Sequence, residues 1–309
     1  MLAVLVQTLP FFALIALGWG AGRTRFFSAE ATAALTRFVF YFALSAMLFR
    51  FAATLSLAQI WDPALVLAYL AATGAVYLLY VLAAALRGTG AAVGAIEAQC
   101  AVIGNVGFLG IPLLVLLLGK DAVGPTLLIL ATDLIVFGSL VVIVIVASRD
   151  GRVSVRALGA VLRGLATNPM IVSIGAGLIV SAAGWTLPAP AEAALATLGA
   201  AATPGALFAI GASLAHLRFD GPYVATWLSV GKLGLHPAAV AIAAILLEVE
   251  REAATVMVAA AALPVAGNIY ILAAHYGVAP ARASAAILVS TVLAVLTVPA
   301  WLALAAGAP

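Results

Sequence analysis

Hydrophobic positions in this chain gather into long runs separated by short polar turns. A helix rises 1.5 Å per residue, so crossing a hydrocarbon core of about 30 Å takes about 20 apolar residues. Ten runs meet that length: Ala3–Gly22, Thr32–Phe51, Ala64–Leu86, Ala91–Leu118, Ala122–Ala147, Asn168–Trp185, Ala191–Leu214, Pro222–Leu247, Glu252–Tyr276 and Pro280–Ala306. The pattern predicts an all-α membrane protein with ten transmembrane helices. Most connections are short and carry turn residues such as Arg87-Gly88-Thr89-Gly90. The longest, Ser148 to Thr167, reads as a loop that divides the spans five and five.

Two of the runs are interrupted where an unbroken helix is expected. The fourth contains Gly104-Asn105-Val106-Gly107-Phe108-Leu109-Gly110-Ile111-Pro112, and the ninth contains Leu263-Pro264-Val265-Ala266-Gly267-Asn268-Ile269-Tyr270. Inside a helix a glycine costs about 1 kcal/mol and a proline about 3, and proline also removes a backbone donor. In a bilayer the freed backbone groups find no water, so such a break persists only where it is buried in protein or lines a wet cavity. Paired breaks in matching positions of two halves point to a transporter substrate site.

The halves do match. Pro10, Phe49 and Pro63 recur as Pro169, Phe208 and Pro222, each at an offset of 159 residues, and the same offset carries Asn105 into the second break at Pro264. An odd number of spans per repeat makes the second enter the membrane from the opposite side, so the expectation is two inverted five-helix repeats, 1–147 and 168–309, joined by a cytoplasmic linker 148–167.

Composition agrees with a chain in lipid. Of 309 residues 66% are hydrophobic and only 8% charged, against about 25% charged in soluble domains. The net charge of +3 reflects basic loops rather than nucleic-acid binding. Arg23, Arg25, Arg87, Arg149, Arg152, Arg156, Arg163, Arg218 and Arg282 fall on one side of the predicted topology, while the other holds only Arg50, Lys120 and Arg251 with most of the acids. The arginine-rich side is expected to be cytoplasmic, with both termini outside and the protein in the plasma (inner) membrane. The apolar N-terminus lacks a basic leader and reads as a first span. Cys100 is the only cysteine, so no intrachain disulfide forms.

No soluble-enzyme motif is present: no His-Glu-x-x-His, no phosphate loop, no Gly-x-Ser-x-Gly. No cofactor is expected beyond Na⁺ or H⁺ as a coupling ion. The informative polar residues lie at membrane depth, where an ionisable side chain costs about 2.5–3.5 kcal/mol even on insertion scales. Asp133 and Lys232 are both near mid-bilayer. Lys232 either compensates an anionic substrate or neutralises Asp133. Ser229, Lys232 and His236 share one helix face, and Pro237 marks a kink there. Glu97 lies on the face of the first break, as a proton or cation site or as a solvated helix-end charge. At the breaks, helix N-termini favour anions and C-termini cations, with Asn105, Asn268 and Tyr270 adding polar groups.

These residues together resemble the auxin efflux carrier family. The resemblance rests on Pro10-Phe11-Phe12-Ala13-Leu14-Ile15-Ala16-Leu17-Gly18, on Asn105 with Phe108-Leu109-Gly110-Ile111-Pro112-Leu113, and on Asn168-Pro169. It continues through Pro204 with Ala206-Leu207-Phe208-Ala209-Ile210-Gly211, Lys232 with Pro237, and Leu263-Pro264-Val265-Ala266 with Tyr270, Ala274 and Tyr276-Gly277. The family includes plant auxin carriers and bacterial malate or malonate permeases. The resemblance implies the ten-span inverted repeat of bile-acid/sodium symporters, crossing fourth and ninth helices, an elevator-like transport domain and a homodimer. It carries Asn105, Pro112 and Pro264 onto the crossover. Ser45 departs from the proline common among relatives, and the loop 148–167 is too short for the long regulated loop of plant carriers.

The sequence thus reads as a secondary transporter of a small organic anion such as a carboxylate, working in the lipid bilayer without nucleic acid. Its expected substrate residues are Asn105, Gly107, Gly110, Pro112, Lys232, Pro264, Asn268 and Tyr270, with Glu97, Asp133 and His236 for ion or proton coupling. A sodium symporter and a channel are the alternatives.

Overall fold

The computed structural model describes residues 2–56, 60–152, 154–217 and 221–307. Of the basic residues that set the expected orientation, Arg218 lies outside them. The described residues form helices α1 Leu2–Arg23, α2 Ala29–Phe38, α3 Leu44–Ala53, α4 Pro63–Leu86, α5 Ala91–Val102, α6 Ile111–Leu118, α7 Val123–Thr132, α8 Gly138–Asp150 and α9 Val155–Thr167. They continue with α10 Pro169–Ala182, α11 Ala189–Ala200, α12 Ala202–His216, α13 Pro222–Val230, α14 His236–Leu246, α15 Arg251–Ala261, α16 Asn268–Tyr276 and α17 Pro280–Gly307. No strand forms among them, only an isolated antiparallel bridge between Gly104 and Val265.

Among the described residues seven stretches are long and apolar enough to cross a membrane, and an eighth if Ala157–Thr167 and Pro169–Ala182, bent by 61°, are taken as one. The difference from ten has a local cause. The breaks after Val102 and Ala261 cut two of the expected spans into pieces of 8 to 12 residues, and α10 has only 14. The expected loop 148–167 also differs, since most of it is helical. Gly151, at φ 69°, ends α8, and Ser154 accepts from the Ala157 N–H to start α9. In α9, Ala157 and Val161 are buried while Leu158, Leu162 and Arg163 are exposed, a period too short and too charged to read as a span.

Helix starts follow ordinary capping chemistry. Ser28, Asp62 and Asn168 each accept a first-turn N–H, and Pro63 and Pro169 occupy positions where the missing donor costs nothing. Several long helices change pitch through a π turn: Val39–Ala43 joins α2 to α3, Asp133–Phe137 joins α7 to α8, and Gly231–Leu235 joins α13 to α14. Each such turn adds a residue and loosens a carbonyl. Side chains take those carbonyls up. Ser45 donates to Phe40 O (3.1 Å), Gln99 to Phe137 O (2.7 Å) and Trp301 to Leu233 O (2.7 Å).

Two helix pairs pack so closely that glycine is required. A Cβ at Gly18 on α1 would collide with the Phe208 carbonyl on α12 and lie 3.0 Å from Ala212 N. A Cβ at Gly177 on α10 would meet the Phe49 carbonyl on α3 and lie 3.0 Å from Ala53 N. Every residue of the second contact is related to one of the first by 159 positions. Left-handed backbone repeats too. Arg25 (φ 60°) and Gly184 (φ 64°) are 159 apart, whereas Gly88 and Glu248 (67° and 51°), and Gly119 and Ala279 (86° and 47°), are 160 apart. The step from 159 to 160 falls across the π turn Gly231–Leu235, whose counterpart in α4 is regular helix.

Candidate functional site

The two interrupted segments meet. Between α5 and the π turn Val106–Gly110 the chain is extended, and Asn105 N–H donates to Pro264 O (2.9 Å) while Ala266 N–H donates to Ile103 O (3.1 Å). Each break therefore satisfies part of the other's freed backbone, as a dry interior requires. Val265 N–H goes to Ser290 Oγ (3.0 Å) on α17, and Asn105 O accepts from both Leu109 and Gly110. Gly104 and Gly110 are close-approach positions. A Cβ at Gly104 would sit 3.0 Å from Ala260 O, and one at Gly110 would press on Leu263 Cδ1 at 2.6 Å.

A cavity of about 70 Å³ opens at this meeting point. One enclosed water needs about 10–15 Å³ on this scale, so it admits several waters or the polar end of a small ligand. Its polar lining comes from Gln99, Asn105, Asp133 and Asn268, and Met170 at the start of α10 closes one side. Gln99 Nε2 is held by Phe137 O, which fixes its Oε1 as an acceptor. Three buried acceptor atoms there have no partner: Gln99 Oε1, Asp133 Oδ2 and Asn268 Oδ1. The N-terminus of α16 begins at Asn268, so backbone N–H groups and the positive end of that helix also face this region.

Behind the cavity lies a second polar layer. Tyr69 on α4 donates to Asp133 Oδ1 (2.9 Å), and its ring meets His236 edge-on at 5.9 Å. Lys232 is fully buried in the π turn Gly231–Leu235. Its ammonium donates to Ala261 O and lies 3.2 Å from His236 Nδ1. An ammonium has only donors, so Nδ1 accepts and Nε2 carries the proton towards Thr73 Oγ1 (3.0 Å). Lys232 thus caps the C-terminal end of α15, where the helix dipole favours a cation.

The expected site residues fall into four groups, the last of them, Tyr270, Pro112 and Glu97, away from the cavity. Asn105, Gly107, Asp133 and Asn268 line the cavity. Pro264 and Gly110 shape the backbone beside it, while Lys232 and His236 form the layer behind. Lys232 does not line the cavity, and Lys232 and Asp133 make no ion pair within 4.0 Å; Tyr69 and His236 link them. Tyr270 is 38% exposed and Pro112 sits in the first turn of α6, both outside the lining. Glu97 is neither in the cavity nor solvated. Its buried carboxylate is clasped by Arg87 and Arg282, tying α5 to the end of α4 and the start of α17.

Tyr69, Thr73 and Gln99 escaped the sequence reading. For the first two the signal was the hydroxyl face of α4, where Tyr69, Thr73, Tyr77 and Tyr80 recur at i, i+4, i+8 and i+11 in an otherwise apolar helix. For Gln99 the signal was an amide at membrane depth, less than two turns before the break at Gly104.

A family profile described as "Membrane transport protein" matches residues 3–302 of the chain. A protein of Rhizobium meliloti (strain 1021) named "Putative malonate transporter" is 31% identical over 296 residues, covering 94% of this chain and 92% of that one.

Proposed function

The chain belongs to the membrane transport protein family, the auxin efflux carrier family its motifs resemble, and is a multi-pass transporter rather than an enzyme; from that premise we propose that it carries a small organic anion, a carboxylate, by alternating access. The observation that carries this reading is the cavity where the two interrupted segments pair, lined by Asn105 and Asn268. A carboxylate there meets backbone N–H groups at the start of α16, and the two amides orient it. Its small volume fits a short acid, and the named relative supports a malonate-like one.

The transport cycle we infer uses ten spans in two inverted repeats, with the broken fourth and ninth spans crossing at the cavity. The matched glycine contacts at 159-residue spacing support the repeat. In an elevator motion, the tightly packed α1–α12 and α3–α10 pairs would stay fixed while the broken spans move. A homodimer in the inner membrane, with both termini outside, completes the proposal. Lys232 acts by holding the end of α15 at the break, and its charge reaches the cavity only through space. The three unpartnered acceptors favour a coupling cation, Na⁺ or H⁺, accompanying the anion.

A thermal-shift titration of the purified protein with malonate and other short carboxylates tests the substrate class. A ligand at 100 times its Kd adds about 2.7 kcal/mol of stability. We expect a shift with a short dicarboxylate that is lost in Asn105→Leu. No shift with any carboxylate would remove the anion reading.

A further inference from the structure

The cavity offers an anion the amide donors of Asn105 and Asn268 but no positive charge. No cationic side chain lines it among the described residues, and the side-chain atoms there that are both fully buried and unpartnered are all acceptors. Asp133 is its only carboxyl group. A substrate carboxylate brought beside an ionised Asp133 sets two like charges in a site with little water to screen them. Asp133 is 4% exposed, opens the π turn Asp133–Phe137, and has one oxygen already engaged: Oδ1 accepts from Tyr69. Only Oδ2 remains, buried and unpartnered, on a residue that lines the cavity.

We propose that Asp133 is the coupling-proton site of this transporter: a proton on Oδ2 removes the like charge and turns that acceptor into a further donor for the substrate carboxylate, so that anion and proton bind and move together. This deepens the carboxylate reading and rests on it. The step is a simple proton balance. One proton from the loading side adds to Asp133 as the carboxylate docks on the new O–H, and it leaves to the opposite side once the substrate departs. Tyr69 cannot be the donor, because its hydroxyl is committed to Oδ1. A sodium ion on the same open oxygens of Gln99, Asp133 and Asn268 would also offset the charge but would give the substrate no donor, and the dependence of binding on pH and Na⁺ separates the two.

The groups surrounding Asp133 are accounted for. From α4 comes Tyr69; from the π turn Gly231–Leu235 and α14 come Lys232, held on Ala261 O, and His236, held between Lys232 and Thr73. On α5, Cys100 is buried and Glu97 is clasped by Arg87 and Arg282. On α16 the Asn268 amide is the polar side chain in the cavity lining, and the charged side chains of α15 are Arg251 and Glu252 in its first turn. None of the other carboxylates lines the cavity.

The test is malonate binding and counterflow by the full-length protein in sodium-free proteoliposomes between pH 7 and 9, where malonate stays fully ionised. Obligatory binding of one proton weakens malonate affinity with rising pH, approaching tenfold per pH unit once the carboxyl of the empty site is ionised, and adding Na⁺ leaves the slope unchanged. Asp133→Asn places a permanent N–H donor where the carboxyl needs a proton, so its malonate affinity should change less than twofold over the same range. As a check that needs no variant, malonate added to weakly buffered wild-type protein should take up one proton per site, read with an indicator dye. Malonate binding without proton uptake, or a flat pH profile with an absolute need for Na⁺, would overturn the proton while leaving the carboxylate reading intact. Failure of every short carboxylate to bind at any pH would overturn that reading, and the proton site with it.

Discussion

The paired helices α1–α12 and α3–α10 and the region around the two breaks solve opposite problems with the same apolar alphabet. The helix pairs are regular, and their contacts are backbone against glycine, with carbonyl oxygens of Phe208 and Phe49 packed where a side chain would otherwise stand. Small residues let helices approach closely in lipid, where no hydrophobic force drives association. The break region is irregular, rich in π turns, and holds nearly every buried charge: Glu97, Asp133 and Lys232. Packing with no tolerance suits a part that stays put. Loosened backbone with open valences suits a part that binds and releases.

The sharpest way to break this comparison is to put a side chain into a helix pair. Gly211 on α12 faces the Ile15 carbonyl on α1, and a Cβ there would overlap it. Overpacking costs about 1–3 kcal/mol where side chains can yield, so against backbone Gly211→Val should cost about 3 kcal/mol or more and leave little folded protein. The milder Gly18→Ala and Gly177→Ala test the repeat itself. Thermal unfolding in detergent should show the two losses alike, and a harmless Gly177→Ala beside a damaging Gly18→Ala would separate the two contacts.

Much of this was legible in the chain because glycine, proline and asparagine announce backbone events. The break positions follow from Gly104 to Pro112 and from Leu263 to Asn268, since few other residues could end a helix inside an apolar run. The offset of 159 likewise came from Pro10, Phe49 and Pro63. Its shift to 160 was hidden, because a π turn adds one residue without needing any special residue type. Nor could the sequence place Lys232. Its depth identified a buried cation, but whether the ammonium reaches a ligand, Asp133 or a helix end depends on three-dimensional packing, and here Ala261 O takes it. Helix α9 went unread because Leu158, Leu162 and Leu165 make a stripe too short to span a bilayer.

A second effect, smaller than the first, sharpens what the buried charges do. Lys232→Met keeps the volume and removes the cap on Ala261, so it should cost about 1–3 kcal/mol, the range for orphaning a buried acceptor. Lys232 and Asp133 are bridged by Tyr69 and His236 rather than paired, so adding Asp133→Asn should not recover the loss in a thermal-unfolding cycle. Recovery to wild-type stability would mean that the two charges neutralise each other directly.

The smallest effect discriminates best, because one chemical device occurs in both regions. Ser45 on α3 and Gln99 on α5 each donate to a carbonyl loosened by a π turn, Phe40 O and Phe137 O. Removing either donor, by Ser45→Ala or Gln99→Leu, should cost about 0.5–1.5 kcal/mol, the net worth of one hydrogen bond. Their functional consequences should diverge. Ser45 does not line the cavity, so Ser45→Ala should leave malonate counterflow within twofold of wild type. Gln99 lines the cavity and its amide oxygen is unpartnered, so Gln99→Leu should lower counterflow at least tenfold for a similar stability loss. If Ser45→Ala slows transport as much as Gln99→Leu, the helix pairs move with the broken spans, and the division between a fixed and a mobile region fails.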